Sequence, residues 1–150
     1  MHIREIRLEN SRVEEIPFSS ERKRMTTIHQ MEDGKRLAFM KGAPELILER
    51  CTSIIDGKGV RNLAGEDKAN ILKANEEMAQ DALRVLGIAY REVPDKIAYS
   101  EDTIENSMVF LGLAGMMDPP RGEAIEATKV CKEVGIRPIM ITGDHKLTAQ

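Results

Sequence analysis

Residues 36–40, Arg36-Leu37-Ala38-Phe39-Met40, have strand character, and the residues after them stop that strand. Gly42 and Pro44 break the run, and residues 45–50 read as the start of a helix. Lys41 sits at the junction, so its ammonium is held between two rigid elements and can be aimed. Taken alone, the same pattern is a strand, a solvated lysine and a turn. Upstream, residues 24–31 have strand propensity and Glu32-Asp33-Gly34 is a hairpin signal. The spacing predicts an antiparallel pair with Lys41 at one end of a sheet.

The rest of the chain alternates in the same way. Residues 13–16 predict a short strand running into Pro17, and residues 19–23 a charged corner. Gly57 and Gly59 mark a tight turn between short strands. Residues 66–83 form the clearest helical pattern, with Ile71, Leu72, Met78 and Leu83 among its apolar positions. Residues 84–93 predict a strand ended by Pro94, and Ser100 is a candidate N-cap for a short helix in an acidic connector. The nearly continuous apolar run 108–117 predicts a strand covered on both faces. After Asp118-Pro119-Pro120-Arg121, a helix at 123–134 ended by Gly135, a buried strand at 136–141 and a new helix from Lys146 predict a parallel α/β unit.

Composition excludes several classes. The 150 residues suit one domain, or one domain and part of a second. With 41% hydrophobic residues there is enough for a core, and with 3% aromatics nine methionines must help fill it. A net charge of -3 without a basic stripe argues against nucleic-acid binding. Cys51 and Cys131 lack paired spacing, which fits reduced thiols in a cytosolic setting. No stretch approaches the roughly 20 apolar residues of a membrane span, and no signal peptide is present, so the chain is expected to be soluble.

Four words stand in order: Phe18-Ser19-Ser20-Glu21-Arg22-Lys23-Arg24-Met25, Lys41-Gly42-Ala43-Pro44-Glu45, Asp118-Pro119-Pro120-Arg121 and Met140-Ile141-Thr142-Gly143-Asp144. Together they resemble P-type ion-pumping ATPases, in the nucleotide-binding domain and the start of the phosphorylation domain, closest to the calcium-pump-like subgroup. The resemblance implies an α+β nucleotide-binding domain, an antiparallel sheet with flanking helices, over residues 1–117. A truncated phosphorylation domain with a parallel unit like that of haloacid dehalogenases is then expected over 118–150.

The resemblance also implies roles. ATP, with its Mg2+ in the intact pump, is the expected cofactor. Phe18 stands where adenine stacks, though by pattern alone it is equally a core residue. Lys41 would line the adenine end, and Gly42 would let the ligand approach the backbone. Glu21 would shape the pocket edge, with Lys23 nearby, and Ser20 stands where related pumps often carry a phosphate-contacting arginine. Arg84 matches an arginine that reaches the β-phosphate, while a helix-end arginine favourable to the dipole is the plain alternative. Asp118, Pro119, Pro120 and Arg121 resemble the interdomain hinge, and Thr142, Gly143 and Asp144 the phosphate loop.

The phosphorylated Asp-Lys-Thr-Gly-Thr word does not occur in the 150 residues. The expectation is therefore a monomeric, ATP-binding cytoplasmic piece that cannot form the aspartyl-phosphate. Its partners would be the remaining phosphorylation, actuator and transmembrane domains of a cation pump. The rivals are a regulatory or assembly module with a degenerate pocket, and a phosphatase of the haloacid-dehalogenase type.

Overall fold

The computed structural model describes residues 9–94, 97–117 and 121–139. Its centre is the predicted hairpin. Strand β2 (Arg24–Gln30) pairs antiparallel with β3 (Arg36–Gly42) without a slip, from Arg24 opposite Gly42 to Gln30 opposite Arg36. Gly34 adopts φ +83° in the connection, where a residue without Cβ is least strained.

Strand β1 (Ser11–Ser19) pairs along the outer edge of β2 and is longer than the predicted 13–16. Its register shifts between Ile16 and Ser19, so β1 carries one residue more than β2 across this interval. Pro17 explains both the bulge and the edge position, because it has no N–H to give to a ladder.

Beyond β3 lie β6 (Arg84–Val93) and β7 (Met108–Met116), each antiparallel to its predecessor in the sheet. Strand β4 (Cys51–Asp56) runs parallel to β7, and β5 (Gly59–Asn62) closes the edge antiparallel to β4. The order is β1-β2-β3-β6-β7-β4-β5. The sheet is thus mixed, and the expected antiparallel sheet is corrected at one pair. The long connection between β4 and β7 supplies the crossover that parallel strands need.

Helices cover one face of this sheet. Helix α1 (Pro44–Glu49) lays Ile47 and Leu48 against Met40, Ala89, Met108 and Phe110, and Ile71 of α2 (Gly65–Gln80) packs on the same cluster. Gly87 permits that approach, since a Cβ there would lie 3.1 Å from the Pro44 Cα and 3.2 Å from the Ile47 Cβ. A second cluster joins Ile28, Ala38 and Val93 to Ile104 of the short helix α3 (Glu101–Ile104). Ser100 begins α3 as predicted, its N–H donating to Thr103 Oγ1 at 3.1 Å.

Two expectations near the C-terminus change. Strand β7 is buried at Met108 and Phe110 but exposed at Leu111 and Met116, so it is not covered on both faces. The reason is that the helices pack on one face only, the face that carries Met108 and Phe110. Helix α4 (Gly122–Glu133) forms and Gly135 ends it at φ +79°, yet α4 buries none of its residues. Residues 136–139, expected in a buried strand, are not strand; Ile136 and Ile139 are exposed and no described strand pairs with them. The rest of that segment, with Thr142, Gly143 and Asp144, lies outside the described residues, as do Asp118, Pro119 and Pro120. Arg121 is described and stands at the N-cap of α4.

Candidate functional site

Strand direction gathers the candidate residues. β1 and β3 end, and β2 and β6 begin, at the same end of the sheet. Phe18, Glu21, Lys23, Lys41, Gly42 and Arg84 all lie at that end. β7 also finishes there, with Arg84 opposite Met116, so the chain leaves towards Arg121 from the same place.

Side chains alternate across a strand, so the face opposite the helices is read from the register. Met25 stands opposite Lys41 and Lys41 opposite Ile88; Thr27 stands opposite Phe39 and Phe39 opposite Tyr90. Met25, Thr27, Phe39, Met40, Lys41 and Ile88 line a hollow of about 120 Å³. Phe39 stacks on Tyr90 at 6.5 Å between centroids and meets His29 edge-on at 5.7 Å. Ligand pockets usually run to roughly 300–1,000 Å³. This hollow can therefore seat part of a planar group but does not enclose a nucleotide. Met25, Thr27 and Ile88 were not singled out by sequence; their signal is the two-residue alternation that places them on the face of Lys41.

Phe18 is 60% exposed, so its ring is not core. It lies at the β1 bulge and is not among the residues lining the hollow. Lys41 is exposed at its rim. Arg84 is exposed three residues before the Gly42–Gly87 rung, beyond the end of β3. Glu21 and Lys23 are exposed in the turn after β1, where Lys23 takes the left-handed φ of +49° and its N–H bonds the Ser19 carbonyl at 2.7 Å.

Gly42 meets a demand of the fold itself. A Cβ on it would lie 2.4 Å from the Lys23 carbonyl oxygen and 2.6 Å from the Arg24 Cβ. The missing side chain makes room for the protein's own corner.

That corner rests on a buried charge cluster which sequence reading missed. The Glu105 carboxylate is fully buried. Arg22 Nη1 donates to both its oxygens at 2.8 and 2.9 Å, Arg24 Nε at 2.7 Å and Thr26 Oγ1 at 2.8 Å. Arg22 also donates to the Pro17 carbonyl and pairs with Glu101 at 2.8 Å. Burial pushes the Glu105 carboxyl up, but the hydrogen bonds from Thr26, Arg24 and Arg22 outweigh it and hold the group below its usual value. Arg91 secures the following turn, reaching the Asn106 carbonyl at 2.9 Å and its Oδ1 at 2.7 Å. Sequence alone places Glu105 in an acidic connector, residues 95–106. Arg24 and Thr26, two apart on one strand face, were the available hint.

Among the described residues no grouping of His, Cys, Asp and Glu could hold a metal ion, and no helix is long and apolar enough to cross a membrane. The architecture is that of a mixed α+β domain with its candidate residues at one sheet end. The family model described as "P-type ATPase, cytoplasmic domain N" matches residues 1–123, and the chain belongs to the P-type cation ATPase family. It is 42% identical over 147 residues to "Calcium-transporting ATPase 1" of Lactococcus lactis, covering 97% of this chain and 16% of that protein. It is 44% identical over 142 residues to "Cation-transporting ATPase pma1" of Synechocystis, covering 93% and 15%. The human "Potassium-transporting ATPase alpha chain 2" is 38% identical over 159 residues, covering 99% and 15%. The chain therefore spans about a sixth of the length of these relatives.

Proposed function

We propose that this chain holds ATP for a P-type pump that moves cations, calcium among them, and that residues 1–117 form the nucleotide-binding domain and 118–150 the beginning of the phosphorylation domain. The observation that carries this reading is the collection of an exposed aromatic ring, Phe18, and the cations Lys23, Lys41 and Arg84 at one sheet end, beside an apolar hollow. A purine needs a π-face and an apolar floor, and phosphates need cations placed past its edge. Phe18 and the Met25–Lys41–Ile88 row fit the first need, and Arg84, beyond the end of β3, fits the second.

Glu21 would border the pocket. Magnesium would arrive with the nucleotide, and Thr142, Gly143 and Asp144 would meet the transferred phosphoryl group after closure about residues 118–121. The phosphate-accepting aspartate, the actuator and the membrane helices belong to the partner domains of the pump. Calcium is favoured by the names of several relatives, with potassium as the rival ion.

The test is a titration of the 150-residue chain with ATP, followed by amide and ring-proton shifts. Saturable shifts clustered near Phe18 and Lys41, weakened in a folded Lys41→Ala chain, are expected. Absence of saturable shifts at millimolar ATP overturns the reading in favour of a module with a degenerate pocket.

A further inference from the structure

A carboxylate fully removed from water is costly unless its partners are fixed, and the partners of Glu105 all belong to the corner that carries two candidate nucleotide residues. Arg24 follows Lys23 directly. Arg22 precedes it and also holds the carbonyl of Pro17, the residue before Phe18. Thr26 follows Arg24 on the buried stripe of β2. The corner has reason to need such a hold: β1 is an edge strand, its ladder is interrupted between Ile16 and Ser19, and Lys23 sits at φ +49°, which a non-glycine residue adopts only when its surroundings enforce it. Glu105 stands at the end of α3 and is anchored from below by Ile104 in the core and by Arg91 on the Asn106 turn.

We propose that Glu105 is a positioning residue for the nucleotide site: its carboxylate, through Arg22, Arg24 and Thr26, locks the β1–β2 corner and thereby fixes where Phe18 and Lys23 stand. The proposal rests on the nucleotide reading above. Glu105 itself lies on the helix-covered side, so it acts on a ligand only through the corner. Locking lowers the number of corner conformations, and apparent affinity scales with the fraction that is competent.

The experiment compares the full 150-residue chain with Glu105→Gln, Thr26→Val and a control, Ile104→Val, which loosens the same cluster without touching the carboxylate. Each is checked for folding by circular dichroism, and two properties are read: backbone order of residues 17–24 by 15N relaxation without ligand, and ATP affinity. Glu105→Gln is expected to loosen the corner and weaken ATP about fivefold, Thr26→Val to do so less, and Ile104→Val to lower the melting temperature with corner and affinity unchanged. An ordered corner and wild-type affinity in folded Glu105→Gln overturn the proposal. If Glu105→Gln does not fold, the same result in Thr26→Val overturns it. A wild-type chain that binds no ATP, with a corner that still depends on Glu105, overturns the nucleotide reading and with it the assignment of this lock to nucleotide binding.

Discussion

Ala82, after α2, and Gly135, after α4, occupy the same position of the same helix-ending motif. In each, the residue is left-handed, at φ +58° and +79° respectively. In each, its N–H bonds the carbonyl three residues back, Ala79 or Lys132, and the next N–H bonds the carbonyl five back, Met78 or Cys131. Glycine accepts that conformation freely, whereas an L residue is strained in it by about 1–2 kcal/mol. Ala82→Gly should therefore stabilise the chain, by about 1 kcal/mol once the greater freedom of glycine in the unfolded state is counted. A urea midpoint equal to or below that of the wild type would contradict this.

Gly42→Ala should do the opposite. The added methyl meets the Lys23 carbonyl at 2.4 Å, and backbone cannot step aside as a side-chain tip can. Overpacking of this kind costs about 1–3 kcal/mol, measurable as a lower melting temperature. Amide shifts of Lys23 and Arg24 should move with it.

Phe18→Ala separates binding from stability. The ring is 60% exposed, so its loss should change unfolding free energy by no more than about 0.5 kcal/mol. Loss of a stacking surface should weaken ATP by roughly 1–3 kcal/mol. Calorimetric titration and thermal melting of the same sample read both quantities; a large stability loss would mean that the ring packs internally.

Acid should release the corner. The folded Glu105 carboxyl lies below its usual value of 4.5, so the unfolded chain binds its proton more readily. Its contribution to stability is complete above pH 4.5 and is lost as pH falls through the lower folded value. Thr26→Val removes one of the bonds that depress it, so the acid limb of its unfolding curve should begin at higher pH than in the wild type. Coincident acid limbs would show that Thr26 does not hold the carboxylate.

The two cysteines should react very differently. Cys51 is buried, its thiol bonds the Ile47 carbonyl at 3.2 Å, and burial pushes it up to about 12. Cys131 is partly exposed on α4. A thiol reagent at mildly alkaline pH should label Cys131 quickly and Cys51 only as fast as the chain unfolds. Equal rates, followed by mass spectrometry, would sink this.

Much of the fold was legible because local chemistry decides it. The Glu32-Asp33-Gly34 turn, the stop at Gly42-Ala43-Pro44, the Ser100 cap and the Gly135 terminus each follow from what those residues can do with their own backbone. The pattern carries the helix on to Leu83, past its end at Gln80, because alanine gives no warning of the left-handed turn at Ala82. Phe18 and Lys41 could be picked out by their words and Arg84 by its place between a helix and a strand, but that strand directions bring them to one end of a sheet could not.

What the chain order settled, then, was where most of the strands and helices lie, since period, proline and glycine act within a few residues. What only the folded chain decided was partnership at a distance: β4 lying parallel to β7, the space beside Gly42 being filled by Lys23 and Arg24, and Glu105 meeting Arg22 and Arg24 from some eighty positions away. Those pairings depend on which surfaces meet once water is excluded, and no local pattern encodes them.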